Sequence, residues 1–131
     1  MPGSAEAADI SAFFSSEVFP RMHAHQAAMV VPGLFGCASC ISTGCGSLAA
    51  QEFRLRDKLR AYIQYLRAET RIVGLAPWHM NNRQSIGCDV KAKAKCRDCE
   101  MKLGAESFPQ LLADWLAFGA SIVRNSSRNA A

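Results

Sequence analysis

The sequence predicts an α/β fold in which two parallel βα units follow an N-terminal helix. Two short apolar runs, Gln26 to Val31 and Arg71 to Trp78, are each closed by a proline and show no polar alternation. Such runs are typical of strands buried on both faces of a parallel sheet. A long helical pattern from Leu48 to Glu69 separates them. Strand, helix and strand in this order indicate a βαβ unit with a right-handed crossover.

Length and composition restrict the fold and the class of protein. The chain has 131 residues, 50% of them apolar, with 15 Lys and Arg against 11 Asp and Glu. This suits one domain, which we expect over residues 1–123, and is too short for a whole (β/α)₈ barrel of ~250 residues. The formal charge of +4 is too small for a dedicated nucleic-acid binder. We find no secretory signal and no apolar run approaching the ~20 residues of a membrane span, and so expect a cytoplasmic protein.

The first element is an amphipathic helix over Asp9 to Phe19. Its apolar positions recur three, four and eight residues apart, and Asp9 is a candidate cap. Pro20 is expected to stop the helix. The positions that form the apolar stripe are Ile10, Phe13, Phe14 and Val18.

The central helix, Leu48 to Glu69, has the strongest periodicity in the chain. Its apolar stripe runs along one side, basic residues cover the other, and Glu52 and Arg56 form a pair at i, i+4. The stripe consists of Leu55, Leu59, Tyr62, Ile63 and Leu66.

The sequence of the last third of the chain predicts a long loop followed by one more helix. The segment Asn81 to Ala105 has no period and is long for a loop inside a compact domain. Ser107 and Gln110 match a capping box that opens a helix reaching Val123. Residues 124–131 are predicted to be a disordered tail. The stripe of this helix is Leu111, Leu112, Trp115, Leu116, Gly119 and Ile122.

Candidate ligand-binding residues follow the two strands. Ligands of parallel sheets bind at the carboxyl ends of the strands, in the loops that lead to the next helix. There Trp78 offers an apolar platform and His79 a proton donor or ligand, whereas Asn81 and Arg83 offer donors for hydroxyls or carboxylates. Phe35 follows the first strand. The alternative is that Trp78 fills the core and His79 is an ordinary loop histidine.

All six cysteines lie in the two loops that follow the strands. Two C-x-x-C pairs could form a tetrahedral zinc site, although their separation exceeds the ~15–20 residues usual in zinc ribbons. In an oxidising compartment the same thiols would instead form disulfides, and a third alternative is that they are small apolar side chains. The possible zinc ligands are Cys37, Cys40, Cys96 and Cys99, with Cys45 and Cys88 as further disulfide partners.

Acidic residues are missing from the ends of both strands. A pair of carboxylates for glycoside hydrolysis is therefore not visible at the predicted edge. Basic residues alternate with small ones from Lys91 to Arg97, which we interpret as a solvated loop more readily than as a site for a polyanion.

The two strand segments together resemble the last two strands of TIM-barrel proteins similar to glycoside hydrolases. The resemblance rests on Met29 to Gly36, on Arg71 to His79, and on the helix around Tyr62 to Leu66 between them. It implies a fragment of a barrel, its last quarter to half, in which Trp78 faces a sugar ring. It departs from the retaining enzymes where the first strand ends in Pro32-Gly33 and not in a nucleophilic glutamate. Catalysis by this chain alone is therefore not expected.

Two strands alone make an incomplete sheet, because their unpaired edges expose apolar surface. We therefore expect either self-association or further, N-terminal barrel units. The alternative function is a non-enzymatic, cysteine-rich interaction module, held by zinc or by disulfides, in which the Lys91 to Arg97 stretch meets an acidic partner.

Overall fold

The structure, a computed structural model, describes residues 5–38, 46–76 and 102–129. Helix and strand are mixed, as the α/β prediction requires, and helix predominates. The elements in chain order are α1 (Ala5–Phe13), a π-helical turn (Phe14–Val18), a 3₁₀ turn (Phe19–Arg21), β1 (Ala28–Val30), β2 (Gly36–Cys37), α2 (Leu48–Ala68), β3 (Ile72–Leu75), β4 (Lys102–Leu103), a second 3₁₀ turn (Ala105–Ser107) and α3 (Pro109–Asn129).

The chain divides into two compact units. The first unit contains Met1–Leu34 and Asp57–Trp78, and the second contains Phe35–Arg56 and His79–Ala131. Sequence patterns predict one domain over residues 1–123 and do not reveal this division, because it falls inside the continuous helical pattern of α2.

The first unit contains the predicted βαβ arrangement. β1 and β3 pair in parallel, with Ala28 opposite Ile72 and Val30 opposite Leu75, and the register shifts between Ala28 and Met29. Backbone hydrogen bonds extend the pairing beyond both ends: Ala28 N–H donates to Arg71 O, and Ala76 N–H to Val30 O, each at 2.8 Å. The parallel pairing of these two segments is therefore confirmed.

The core of the first unit lies where helical residues cover one face of this pair. Five side chains are buried there, and each contributes to stability through removal of apolar surface from water, at ~25 cal/mol per Å². Phe14 and Tyr65 pack with ring centroids 5.5 Å apart at the centre. The five buried residues are Ile10, Phe14, Val30, Ala61 and Ile72.

The first helix differs from its prediction at both ends. α1 begins at Ala5, so Asp9 lies inside the helix and does not cap it. Pro20 lies within the 3₁₀ turn Phe19–Arg21, because the fixed φ of proline suits the first positions of a helical turn. The chain leaves the helical region at Met22, whose backbone is extended.

The second unit pairs two segments that were predicted as loops. β2 and β4 run antiparallel, with Gly36 opposite Leu103 and Cys37 opposite Lys102. Each of these strands has only two residues, which is too short to produce a hydrophobic period, so the sequence pattern could not reveal the pairing.

Gln51 of α2 holds β2 through its amide group. The side chain is 4% exposed, and its Oε1 accepts the Cys37 N–H at 2.7 Å. Its Nε2 lies 3.2 Å from Cys37 O and 3.0 Å from Gly46 O, donating to both carbonyls. The amide therefore meets the backbone of Cys37 as a neighbouring strand would, and it satisfies polar groups that burial would otherwise leave unpaired.

The second unit also fixes the start of α3 through Glu52. Its Oε2 accepts the backbone N–H of Gln110 at 2.9 Å and that of Leu111 at 3.3 Å. The capping-box prediction for Ser107 is wrong, since Ser107 belongs to the preceding 3₁₀ turn and the helix begins at Pro109. A carboxylate from another helix supplies the acceptor that a local side chain was expected to supply.

Arg56 joins the same two helices one turn further along. Its Nε and Nη2 donate to the two carboxylate oxygens of Asp114 at 2.7 and 3.2 Å, and its Nη1 donates to Gln110 Oε1. The sequence predicted Arg56 as the i, i+4 partner of Glu52. In the structure Glu52 and Arg56 each bind residues of α3.

α3 continues to Asn129, through most of the segment that the sequence predicted as a disordered tail. Leu111 and Phe118 are buried, whereas Leu116 is 62% exposed and Ile122 also lies open. The predicted stripe is therefore correct at Leu111 and wrong at Leu116 and Ile122. The buried face of α3 includes Leu111 and Phe118, which are seven residues, or about two helical turns, apart.

Candidate functional site

The parallel pairing brings the carboxyl ends of β1 and β3 to one edge of the first unit. The hydrogen bond from Ala76 N–H to Val30 O, at 2.8 Å, places the residue after β3 beside the last residue of β1. Pro32 and Leu34, which follow β1, are buried. This edge is where the sequence predicted a binding site.

Most of the predicted binding residues lie outside the described part of the chain. Trp78, His79, Asn81 and Arg83 all follow Ala76 and fall in the undescribed range 77–101. Phe35 is described and half-buried, just before β2 in the second unit. The predicted binding set therefore stays a prediction.

Most of the predicted zinc ligands also lie outside the described part of the chain. Cys37 is half-buried in β2, and its backbone binds Gln51. The other cysteines, Cys40, Cys45, Cys88, Cys96 and Cys99, fall outside the described residues. Within the described ranges no three His, Cys, Asp or Glu side chains are grouped so as to hold a metal ion. Both zinc and disulfides stay predictions.

An apolar groove runs along β1 in the first unit, and we call it the β1 groove. Its volume is about 590 Å³, within the range of small-molecule and peptide sites. Helical residues form one wall and the strand forms another. The lining residues are Asp9, Ile10, Phe13, Phe14, Val18, Ala28, Met29, Val30, Val31, Lys58 and Tyr62.

The strand that lines this groove is less buried than the sequence predicted. Met29 is 63% exposed, Val31 60% and Val73, on β3, 69%. The expectation that both strands are buried on both faces is therefore wrong within the described residues. Helices cover the face that carries Val30 and Ile72, and the apolar residues of the opposite face remain open.

The backbone of β1 has hydrogen-bonding groups directed away from β3. Ala28 N–H and Val30 C=O bond toward β3. Because successive residues of a strand direct these groups to opposite edges, those of Met29 point to the other edge. Among the described strands β1 is paired with β3 alone. Within the described residues, the β1 groove therefore combines apolar walls with a strand edge that no other described strand pairs.

Two opposite charges line the β1 groove, and they limit its chemistry. Asp9 contributes a carboxylate and Lys58 an ammonium group, and the remaining lining is apolar apart from the Tyr62 hydroxyl. Glycoside hydrolysis requires two carboxylates. Among the described lining residues Asp9 is the single carboxylate.

Tyr65 is partly buried against the core of the first unit, beside the groove residue Phe14. Burial raises the pKa of the Tyr65 phenol above its usual 10.0, and the negative charge of Glu69 raises it further. The shift extends the pH range of the neutral phenol above its usual limit, and the ring packs against the core of the first unit.

Sequence reasoning missed the β1 groove. The run of Met29 and Val31 indicated burial, and nothing local distinguishes an apolar residue that packs inside from one that lines an open groove. The useful clue was the small number of predicted strands, which already indicated an incomplete sheet.

A search against protein-family models, curated proteins and solved structures finds no match for this chain. In the described part of the chain no helix is both long and apolar enough to cross a membrane.

Proposed function

We propose that this chain contributes two βα units of a glycoside-hydrolase-like α/β protein and binds saccharide at the carboxyl edge of β1 and β3. The observation that supports the proposal is the parallel pairing of the two strands around one helix, which directs both strand ends to the same edge. Sites of parallel α/β proteins are built at such edges.

Trp78 is the residue on which saccharide binding is proposed to depend. It follows Ala76 by two residues, and Ala76 is hydrogen-bonded to the last residue of β1. An indole face offers a large apolar surface for the C–H groups of a sugar, while its N–H can donate a hydrogen bond. His79, Asn81 and Arg83 follow in sequence and would donate to hydroxyls.

The proposal is for binding without catalysis by this chain alone. A retaining enzyme needs two carboxyl groups ~5 Å apart, and an inverting enzyme needs them further apart. The first strand is followed by Pro32-Gly33 and the second by Pro77 and Trp78, with no acidic residue at either place. Catalytic carboxylates would have to come from other strands.

Intrinsic fluorescence tests this proposal cleanly, because the chain has two tryptophans. Trp115 is half-buried in α3, so Trp115→Phe leaves Trp78 as the sole indole emitter at little structural cost. Titration of this variant with a panel of oligosaccharides should shift or quench the emission. Calorimetry with the responding glycan should then show binding to the parent and to Trp115→Phe, and loss of binding in Trp78→Ala.

Two outcomes would contradict the saccharide proposal. One is the absence of any response across a panel of neutral, acidic and amino oligosaccharides. The other is calorimetric binding that persists unchanged in Trp78→Ala, since this would place the site away from the strand edge.

We also propose that a second copy of the chain occupies the β1 groove, so that two β1 edges pair across a twofold axis. An isologous interface must be self-complementary. The groove meets this requirement, because it carries both a carboxylate, Asp9, and an ammonium group, Lys58, beside apolar residues. Pairing would also turn a two-stranded parallel sheet into a four-stranded one, which is closer to the size of stable sheets.

A further inference from the structure

Two histidines lie face to face in the loop between the 3₁₀ turn and β1. The rings of His23 and His25 are 6.0 Å apart between centroids, and their planes differ by 9°. Both side chains are exposed. They belong to neither the predicted saccharide edge nor the cysteine loops.

The backbone of this loop is held by hydrogen bonds at both ends. Gln26 N–H donates to His23 O at 3.0 Å, and His23 N–H donates to Gln26 Oε1 at 2.8 Å. Arg71 Nη2 donates to the same His23 carbonyl at 3.4 Å, which links the loop to the residue before β3. Both histidines therefore belong to a turn whose backbone is held by hydrogen bonds.

Arg71, which donates to the His23 carbonyl, has two further partners. Arg71 lies over the Phe19 ring, 4.9 Å from its centroid, and its backbone N–H donates to Glu69 Oε1 at 3.0 Å. Arg21 is paired with Glu17 at 3.0 Å. Each of these two arginines therefore has a partner within the first unit.

We propose that His23 and His25 together bind a divalent transition-metal ion of the class that prefers imidazole, such as Zn²⁺, with water completing the coordination. Imidazole nitrogens are favoured ligands of zinc, copper and nickel. Two nitrogens on one tetrahedral zinc lie about 3.3 Å apart, given Zn–N distances of ~2.0–2.1 Å. A centroid separation of 6.0 Å leaves room for one ion between the two rings, and because both side chains are exposed the rings can turn their nitrogens toward it.

This site is separate from the predicted cysteine site in both residues and chemistry. His23 and His25 offer imidazole nitrogens in the first unit, whereas the predicted cysteine ligands would be thiolates from the loops after the strands. It is also independent of the saccharide proposal. Either proposal can fail without affecting the other.

Zinc titration of the full chain, followed by NMR of the histidine ring protons, tests the proposal. The chain has three histidines, so His79 is an internal reference. We expect the ring resonances of His23 and His25 to shift together along one saturable curve as Zn²⁺ is added beyond any equivalents that the cysteines take up. His25→Ala should weaken the response of His23 at least tenfold, and His79→Ala should leave it unchanged.

A second variant separates metal binding from local packing. Gln26→Ala removes the side-chain acceptor that holds the turn but removes no metal ligand. It should weaken zinc binding several-fold while both histidine resonances still shift together. His23 and His25 shifting along different curves, no shift at all, or a His23 response unaffected by His25→Ala would each overturn the two-histidine site.

Discussion

The carboxylate of Glu52, on α2, accepts the backbone N–H of Gln110, the second residue of α3, at 2.9 Å. These residues are 58 positions apart in sequence. The contact satisfies one of the N–H groups that a helix leaves unpaired at its start, and it places a negative charge at the positive end of the helix dipole. It thereby determines where α3 begins.

Glu52→Ala should lower the free energy of unfolding by about 1–2 kcal/mol, the usual cost of losing a helix cap. Chemical denaturation measures it. Asp57→Asn on the same helix is the matched control, because Asp57 forms an exposed i, i+3 pair with Arg60. Such a pair contributes less than about 1 kcal/mol. Equal losses in both variants would show that Glu52 acts only as a surface charge.

Gln51→Ala should destabilise the chain by about 2–4 kcal/mol. The variant leaves Cys37 N–H and two carbonyl groups without the amide that now binds them. Hydrogen exchange at the Cys37 amide should accelerate in parallel. Gln64→Ala, an exposed position on the same helix, should change stability by less than about 0.5 kcal/mol. Unchanged exchange at Cys37 would contradict the role of the amide.

Two glycine-to-alanine variants should change stability in opposite directions. A Cβ at Gly36 would lie 2.5 Å from Gln51 Oε1 and 2.6 Å from Cζ of Phe108, a ring that is only 1% exposed. Gly36→Ala should therefore cost about 1–3 kcal/mol. At Gly119, in α3, a Cβ meets nothing within 4 Å, and alanine should stabilise the helix by about 0.5–1 kcal/mol.

Thermal or chemical unfolding of the two glycine variants beside the parent measures the difference. A neutral Gly36→Ala would mean that β2 can move away from Gln51 and Phe108 without cost. A destabilising Gly119→Ala would mean that this face of α3 is covered.

Sedimentation equilibrium should show reversible self-association of the parent at micromolar concentration. Met29→Lys places an ammonium group on the wall of the β1 groove and should weaken the dimer at least tenfold, because a second copy seated in the groove would bury that charge. Leu116→Lys, an equally exposed apolar position on α3, is the control and should leave association unchanged. A parent that stays monomeric and melts cooperatively would contradict the dimer.

Stability should fall at high pH through Tyr65. Its phenol has a raised pKa in the folded chain, so the unfolded state loses this proton at a lower pH than the folded state does. The contribution of Tyr65 to the free energy of unfolding is complete below the usual phenol pKa of 10.0 and declines as pH rises above it. Tyr65→Phe should flatten this decline in pH-dependent denaturation. If the free energy of unfolding of Tyr65→Phe falls with pH as steeply as that of the parent, other groups cause the loss of stability at high pH.

The sequence by itself determined that the first unit contains two parallel strands joined through a helix. The periodicity of Leu48 to Glu69 and the apolar runs around Val30 and Ile72 were enough for a parallel βαβ unit, because these preferences depend on residues close together in the chain. The tertiary structure alone decided the partners of Gln51 and Glu52 and the exposure of Met29. Gln51 binds Cys37 from 14 positions away, and Glu52 reaches across 58. Such contacts depend on how elements pack, which local periodicity does not encode.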